Sequence, residues 1–333
     1  MTVTALDVPI GILGTGSYLP DRVVSNEEIA GPAAVTADWI ERKTLIRSRH
    51  RAAPDQATSD LAAEAARRAL EAAGLEPRDV AFILVSTSTP DQPQPATASF
   101  VQQLIGAEGA AAVDVNAVCS GFVYALAMAQ GLIAAAGGDK AALVIGADLY
   151  TRSLDYADRK TAILLGDGAG AVVLGPVRRG RGLFATRMRG FGDASHLIRV
   201  EAGGSRRPAS AQTVLEGGHH FKMEGREVRE FVAQHVPKLV HAALDEAGLR
   251  PGEIAHVVPH QANGMMLREL DELLELPSAR MHVNVDRVGN TGSASIPIAL
   301  DEASRSGAIA DGDRVLLLGF GGGMNSGLAL LEQ

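Results

Sequence analysis

The chain contains one cysteine, Cys119, and its place in the sequence favours a nucleophile. It follows the apolar run AAVDVNAV and precedes SGFVYALAMAQGLIAA, which has the composition of a long helix. Unpaired backbone N–H groups and the helix dipole stabilise a thiolate at a helix N-terminus. A lone cysteine is also often a buried apolar residue without chemistry. The position of Cys119 therefore leaves both interpretations open.

One histidine and one asparagine stand where they could act with this cysteine. His260 ends the apolar run AHVVP, and open α/β sheets place reacting groups at such carboxyl ends of strands. Asn290, in RVGNTGSAS, precedes a predicted helix, where a turn or N-cap role is the ordinary interpretation. In one type of site the histidine is a base that the asparagine orients. In another, both side chains donate hydrogen bonds to a thioester carbonyl or an enolate oxygen.

Two glycine-rich segments bear on cofactor binding. GFGGGMNSG (319–327) predicts a turn that could hold an anion, cap a strand or offer a backbone N–H to an oxyanion. It lacks the Lys-Ser/Thr ending of a P-loop. GTGSYLP (14–20) has only part of the dinucleotide fingerprint, with a Leu-Pro pair where the helix would begin. We therefore expect no nucleotide or other resident cofactor.

Composition restricts the class of protein. The 333 residues suffice for two domains of about 150–170 residues, and 46% of them are hydrophobic. A net charge of −8 without a lysine-rich block argues against nucleic acid or a membrane surface as a partner. One cysteine cannot make an intrachain disulfide or a cysteine-based zinc site, and no histidine–carboxylate spacing indicates a metal. Without a long apolar span or a basic leader, the sequence predicts a cytoplasmic protein.

The chain contains an internal repeat. Residues 69–81 (ALEAAGLEPRDVA) and 243–255 (ALDEAGLRPGEIA) are identical at seven of 13 positions, at an offset of 174. Gly-Asp-Lys and Gly-Asp-Arg precede two later apolar runs at the same offset. A third match, at an offset of 171, aligns Cys119 with Asn290. The repeat brings the candidate nucleophile and the candidate asparagine into equivalent places.

We interpret the chain as two α/β halves, 1–176 and 177–333, joined at the basic connector PVRRGRG (176–182). Short apolar runs predict strands at 9–15, 80–87, 111–116, 141–147, 169–174, 255–259, 281–285 and 314–320. Amphipathic or apolar patterns predict helices at 58–74, 95–105, 120–136, 225–247, 263–276 and 293–306.

Four motifs, VCSGF, VPHQAN, RVGNTG and GFGGG, resemble in order and spacing those of the β-ketoacyl-acyl-carrier-protein synthase III family of the thiolase superfamily. The resemblance extends over the whole chain. It implies a thiolase-like, five-layered αβαβα fold, a homodimer and a ping-pong reaction. Cys119 would take an acyl group from a thioester. His260 and Asn290 would bind the carbonyl of a malonyl-type extender and stabilise its enolate.

The resemblance also implies further site residues. The backbone N–H groups of Cys119 and Gly322 would form the oxyanion hole. Trp39 and Arg159 would hold the adenine of coenzyme A between a ring and a cation. Phe320 and Met223 would lie around the acyl pocket.

Several positions depart from the family pattern, among them Met324-Asn325-Ser326, which replace the usual Phe-Thr-Trp after the triple glycine. Lys43 replaces an arginine near the coenzyme A phosphates and loses its bidentate geometry. Gln94 replaces an aromatic residue that the partner subunit inserts into the acyl pocket, which indicates a polar or unusually sized acyl group. Met265 stands where the family has an arginine that contacts the acyl carrier protein, and Arg268 could substitute for it.

The function we predict is that of an acyltransferase that forms an acyl-S-Cys119 intermediate and catalyses decarboxylative Claisen condensation in fatty-acid or polyketide biosynthesis. The alternative is transfer of the acyl group onto a hydroxyl or amine of a natural product. The donor would be acyl-CoA or an acyl carrier protein. A scaffold role without catalysis is disfavoured because Cys119 is retained.

Overall fold

Two five-stranded sheets with the same strand order form the centre of the molecule. The computed structural model describes residues 8–333. The strands are β1 (Ile10–Tyr18), β2 (Arg22–Ser25), β3 (Ser48–Arg51), β4 (Val80–Ser86), β5 (Ala111–Val115), β6 (Ala141–Leu149), β7 (Asp167–Pro176), β8 (Gly182–Gly190), β9 (Ile198–Val200), β10 (Phe221–Met223), β11 (His256–Pro259), β12 (Arg280–Met281), β13 (Arg314–Gly321) and β14 (Asn325–Glu332). The helices are α1 (Asn26–Ala30), α2 (Ala37–Thr44), α3 (Thr58–Ala73), α4 (Thr97–Ile105), α5 (Gly121–Ala135), α6 (Ala211–Leu215), α7 (Gly225–Ala247), α8 (Gly264–Leu274), α9 (Val285–Val288) and α10 (Ser295–Arg305).

The first sheet has the order β1-β7-β6-β4-β5, and the second has the order β8-β14-β13-β11-β12. In each sheet the first two pairings are antiparallel and the other two are parallel. The repeated segments found in the sequence end α3 and α7 and then enter β4 and β11. On these grounds we propose that the chain consists of two duplicated halves, 1–176 and 177–333.

The helices divide the molecule into five layers. α3 and α4 pack on the outer face of the first sheet, and α7 and α8 pack on the outer face of the second. α5 and α10 lie between the sheets, because one apolar cluster contains side chains of both helices and of both sheets. The predicted five-layered αβαβα fold is confirmed.

The central helix α5 is apolar on all sides, as a helix between two sheets must be. The stretch Val118–Ala135 is long and apolar enough to cross a membrane by length and composition alone. However, 56% of this stretch is buried inside the protein, as expected for a core helix.

Most predicted elements match within one to three residues at each end, but two predictions fail. The predicted strand 281–285 is wrong, since β12 ends at Met281 and α9 begins at Val285. The predicted turn 319–327 is confined to three residues, 322–324, because Gly319–Gly321 extend β13 and Asn325–Gly327 begin β14. The glycines of this segment were a misleading signal for a turn, because Gly319 and Gly321 are strand residues that allow close packing on Ser120 and Cys119.

A close approach of α3 to β1 explains the glycines of the first strand. A Cβ on Gly16 would lie 2.4 Å from the backbone nitrogen of Ala69 and 2.5 Å from the carbonyl oxygen of Ala65. Backbone atoms of a helix cannot move aside as a flexible side chain can. The sequence GTGSY thus serves helix–sheet packing.

We predict that Gly16→Ala lowers the free energy of unfolding by about 1–3 kcal/mol, the cost of overpacking a dense core. Denaturant titration followed by circular dichroism measures this change. Gly31→Ala is the matched control, because Gly31 follows α1 with a helical φ of −61° and, among residues 8–333, has no atom near its Cβ position. The control should be neutral or stabilising by up to about 1 kcal/mol. Equal stability of both variants would contradict the packing argument.

Candidate active site

Cys119, His260 and Asn290 line one cavity of about 520 Å³. Each comes from a different segment: Cys119 from the turn after β5, His260 from the end of β11, and Asn290 from the segment between α9 and α10. The structure therefore brings together the three residues that the sequence suggested for chemistry. The cavity has the size of ordinary small-molecule sites.

Cys119 lies in a tight turn between β5 and α5. The residues Val118–Ser120 form one turn of 3₁₀-helix, and α5 follows at Gly121. Val118 has φ of +49°, a left-handed conformation that is rare for a β-branched residue. Such strain concentrates at functional sites, where the surrounding structure maintains it. Here it turns the chain so that Cys119 faces the cavity at the start of the helix.

The end of β13 packs directly on this turn. A Cβ on Gly321 would lie 2.6 Å from Cβ and 3.1 Å from Sγ of Cys119. A Cβ on Gly319 would lie 3.0 Å from Cα of Ser120, whose hydroxyl donates a hydrogen bond to the carbonyl of Asn325 at 2.9 Å. The glycine motif therefore lets the second half of the chain touch Cys119. Gly321 is the residue in contact, and the predicted oxyanion residue Gly322 follows it.

The environment of Cys119 favours the neutral thiol. Burial raises the pKa of the Cys119 thiol, and the nearby carboxylate of Asp148 raises it further. Both effects oppose the lowering expected at a helix N-terminus. Sequence reasoning missed this, because the burial of a residue in its final fold is invisible in a local motif.

His260 is held by one side chain and is neutral. Its Nδ1 lies 2.7 Å from Oγ of Ser295, and its ring meets the edge of Phe320 with the centroids 5.3 Å apart. Burial lowers the pKa of His260 to about 3. Ser295 also donates to the carbonyl of Gly292 at 2.9 Å, so the start of α10 fixes the imidazole.

Asn290 is oriented so that part of its amide stays available. Its Oδ1 accepts a hydrogen bond from the backbone N–H of Gly292 at 2.9 Å. Its Nδ2 donates to the carbonyl of Ala262 at 3.3 Å. An asparagine amide has two N–H groups, so one more hydrogen bond can be donated to a ligand in the cavity.

A buried carboxylate outside the cavity connects the segments around it. Asp148, at the end of β6, accepts hydrogen bonds from the backbone N–H groups of Ser88 (2.8 Å) and Ser293 (2.7 Å). The hydroxyls of Thr87, Ser88, Thr89 and Ser293 lie within 3.2 Å of its two oxygens. Burial raises the pKa of Asp148, and these donors oppose that shift. Asp148 thus ties the segment after Asn290 to the first half of the chain.

The outer part of the cavity carries an aromatic ring and several cations. Trp39 and Lys43 lie one turn apart on α2, and the guanidinium carbon of Arg159 lies 5.9 Å from the centre of the Trp39 ring. Lys160 and Arg226 also line this part. An aromatic–cation pair beside exposed cations suits a planar base linked to phosphates.

The remaining predicted residues divide into two groups. Phe320 and Met223 line the cavity. Gln94 is exposed and lies outside the cavity of its own chain. A role for Gln94 therefore requires a second copy of the chain, as the sequence analysis assumed.

Sequence reasoning missed four buried supports of the site: Asp148, Gln261, Ser293 and Ser295. A signal existed for two of them. Asp148 is a lone acid at the end of the apolar run AALVIGA, and Gln261 directly follows His260. The two serines lie in a segment whose composition is that of an ordinary turn, so the sequence gave no signal for them. In the part of the chain that the structure describes, no group of three or more His, Cys, Asp or Glu side chains could hold a metal ion.

Comparisons with known proteins agree with this geometry. A family model for 3-oxoacyl-[acyl-carrier-protein (ACP)] synthase III matches residues 113–192, and the model for its C-terminal part matches residues 244–333. The acetoacetyl CoA synthase NphT7 of Streptomyces sp. strain CL190 is 55% identical over 98% of this chain and 99% of its own length. A beta-ketoacyl-[acyl-carrier-protein] synthase III of Caldanaerobacter subterraneus is 42% identical over 95% of this chain and 96% of its own.

The chain belongs to the 3-oxoacyl-acyl-carrier-protein synthase III family. The crystal structure of the family member from Pseudomonas aeruginosa PAO1 superposes with a TM-score of 0.88 at 37% identity, covering 97% of this chain and 98% of that one. The predicted resemblance is confirmed. With it, the prediction of a synthase III-like condensing enzyme that acts on acyl thioesters is also confirmed.

The neutral state of His260 predicts a pH dependence of stability for this synthase III-family protein. The pKa of His260 is about 3 in the folded protein and about 6.5 in the unfolded chain. Between these pH values the unfolded chain binds a proton that the folded protein does not bind. The free energy of unfolding should therefore fall with acidification in this range. His260→Gln should reduce the slope between pH 4 and 6 by about 1 kcal/mol per pH unit.

Urea titrations at several pH values measure this slope. The control is His196→Gln, which replaces an exposed histidine and should leave the slope unchanged. An identical slope in the wild type and in His260→Gln would show that His260 titrates normally in the folded protein.

Proposed function

We propose that the protein condenses acetyl-CoA with malonyl-CoA to give acetoacetyl-CoA, carbon dioxide and free coenzyme A. The observation that carries the proposal is the single cavity in which a cysteine, a neutral histidine and an asparagine with a free N–H meet. The 55% identity to a relative named acetoacetyl CoA synthase supports the choice of substrates.

In the first half-reaction, Sγ of Cys119 attacks the thioester carbon of acetyl-CoA. The new C–S bond replaces the bond to coenzyme A, which leaves and takes a proton, while Cys119 loses its own. Backbone N–H groups of Cys119 and Gly322 receive the negative charge on the carbonyl oxygen. A buried neutral thiol fits this sequence, because the proton leaves only when a substrate is bound.

In the second half-reaction, the thioester carbonyl of malonyl-CoA binds near His260 and Asn290. The bond to the carboxylate breaks, carbon dioxide leaves, and the electron pair forms an enolate. The amide of Asn290 donates a hydrogen bond to the enolate oxygen. The imidazole of His260, which is held by Ser295, lines the same cavity. The enolate carbon then attacks the acetyl carbon, and the sulfur of Cys119 leaves and regains a proton.

The wall of the cavity favours a short acyl group. Tyr150 and Phe221 line it, with ring centroids 5.4 Å apart in an edge-to-face contact. Tyr150 is buried, and its hydroxyl is hydrogen-bonded to Ser88 at 2.5 Å. A Cβ on Gly292 would lie 2.4 Å from the Tyr150 ring. Gly292 therefore packs closely on the ring and prevents it from moving towards Gly292. A fixed aromatic side chain here leaves space for an acetyl group.

Coenzyme A rather than an acyl carrier protein is proposed as the carrier of the extender. The first turn of α8 borders the cavity, and Met265 stands half-exposed where the family pattern has an arginine. The rest of α8 carries Glu269, Asp271 and Glu272 with one basic residue, Arg268. With Met265 at this place, the first turn of α8 offers an acidic carrier protein no cation there.

Intact-protein mass spectrometry tests the proposal directly. Incubation with acetyl-CoA should add one acetyl group to the wild type and none to Cys119→Ala. A malonyl-CoA chase should then remove the adduct with release of carbon dioxide and acetoacetyl-CoA. An adduct that survives the chase and is removed by a hydroxyl or amine acceptor would replace condensation with simple acyl transfer.

The proposal includes a cytoplasmic homodimer with a free sheet edge as the interface. Among residues 8–333, β5 is paired on one side only, and its residue Val113 is exposed. Met128 and Leu132, one turn apart on α5, add an exposed apolar stripe. A second copy can pair with the edge strand and cover the stripe, as a symmetric interface requires.

We predict that sedimentation gives the wild-type protein a mass of about twice that of one chain, which is 34.7 kDa. The Val113→Asp variant should shift the population towards the monomer. The charge would be buried without a partner in the interface. Val23→Asp is the control, since Val23 is also exposed and lies on β2, which pairs with β3 in a separate two-stranded sheet. A dimer unaffected by Val113→Asp would place the interface elsewhere.

A further inference from the structure

Gln261 directly follows His260, yet its side chain does not line the cavity and is fully buried. Its Nε2 donates hydrogen bonds to the carbonyls of Pro259 at 2.9 Å and His282 at 3.0 Å. Its Oε1 accepts from the backbone N–H groups of Asn284 at 3.0 Å and Val285 at 3.2 Å. All four hydrogen-bonding positions of the amide are used.

These four bonds join the two segments that carry His260 and Asn290. Pro259 is the last residue of β11 and precedes His260. Asn284 and Val285 begin α9, which ends two residues before Asn290. The Gln261 amide therefore ties the strand end before His260 to the start of α9, the helix that leads to Asn290.

A fifth hydrogen bond extends the connection to α10. The backbone N–H of Gln261 donates to Oγ of Ser295 at 3.2 Å, and the same oxygen lies 2.7 Å from Nδ1 of His260. Displacement of Gln261 would thus change both the strand end and the partner of the imidazole.

Cys119 is held by a different set of contacts. Its turn packs on Gly319 and Gly321 of β13, and the hydroxyl of Ser120 is bonded to Asn325. Among residues 8–333, none of the hydrogen bonds of the Gln261 side chain reaches the turn that carries Cys119. β13 supports both sides of the cavity, since the backbone N–H of His260 donates to the carbonyl of Leu318, but the bonds of the Gln261 side chain act only on the segments that carry His260 and Asn290.

We propose that Gln261 is a positioning residue for decarboxylation and carbon–carbon bond formation, and not for acylation of Cys119. The inference rests on the proposed function. A buried amide that satisfies two carbonyls and two N–H groups is rigid, because loss of any bond leaves a polar group unpaired in a low dielectric. A displacement of about 1 Å at a reacting group costs about 100-fold in rate.

Two variants separate this role from ordinary stability. Gln261→Glu keeps the shape but cannot donate to the carbonyls of Pro259 and His282 when ionised, and Gln261→Met removes all four bonds. Acylation of Cys119 by acetyl-CoA is measured by mass spectrometry, and carbon dioxide release from malonyl-CoA is measured with the enzyme already acetylated. We expect acylation within about threefold of wild type and carbon dioxide release lowered by about 100-fold.

Gln130 supplies the matched control. It is a buried glutamine of α5 with one side-chain hydrogen bond, to the carbonyl of Leu183 at 2.9 Å, and it lies outside the active-site cavity. Gln130→Glu and Gln130→Met make the same chemical changes there. Thermal unfolding of all four variants shows the cost in stability. The control variants should keep the wild-type ratio of the two half-reactions whatever stability they lose.

A parallel fall of both half-reactions in the Gln261 variants, or no fall in either, would overturn the positioning role. A wild-type enzyme that acetylates Cys119 but releases no carbon dioxide would instead overturn the proposed function. The two failures are therefore distinguished by the wild-type protein alone.

Discussion

The buried carboxylate of Asp148 is the constraint on which the rest of the site depends. It is a charge between the two halves of the chain, and it is surrounded by N–H and O–H donors from both. A buried carboxylate without such donors would be expelled or neutralised. The donors can converge only when the loop after β4 and the start of α10 meet at the end of β6. Folding around Asp148 therefore fixes the segment that carries Asn290 and Ser295, and Ser295 in turn fixes His260.

The same burial that isolates Asp148 determines the chemistry of the cavity. It raises the pKa of Cys119 and lowers the pKa of His260, so burial disfavours the charged form of both side chains. Burial therefore opposes a thiolate–imidazolium pair. The site offers oriented donors in a low dielectric to charge that appears only with substrate, which is the arrangement that stabilises enolates and oxyanions most strongly. A condensing enzyme, which must form a carbanion equivalent next to an acyl thioester, requires this property more than it requires a permanently activated cysteine.

Much of this could be predicted from the sequence, and the limits have physical reasons. The repeat at 69–81 and 243–255 predicted two similar halves because helix ends and strand starts leave local signals. Motif order predicted the family, and apolar runs predicted the strands of both sheet centres. The edge strand β8 and the terminal strand β14 were missed, because one is half-exposed and the other begins inside a glycine-rich motif. Asp148 and Gln261 were missed although each stands beside a local signal, because most of their hydrogen-bond partners are distant in sequence.

The shared topology of the two sheets explains why the candidate site lies where it does. A 3₁₀ turn precedes α5 in the first half and another precedes α10 in the second, and the two turns touch each other. Both central helices thus begin at one place between the sheets, and both direct the positive ends of their dipoles there. Cys119 stands at one of these starts, and Asn290 stands just before the other. Each half-reaction creates negative charge on an oxygen, so two convergent helix starts serve two successive anions in one cavity. A single α/β half has only one such start, and the second half is what provides the other.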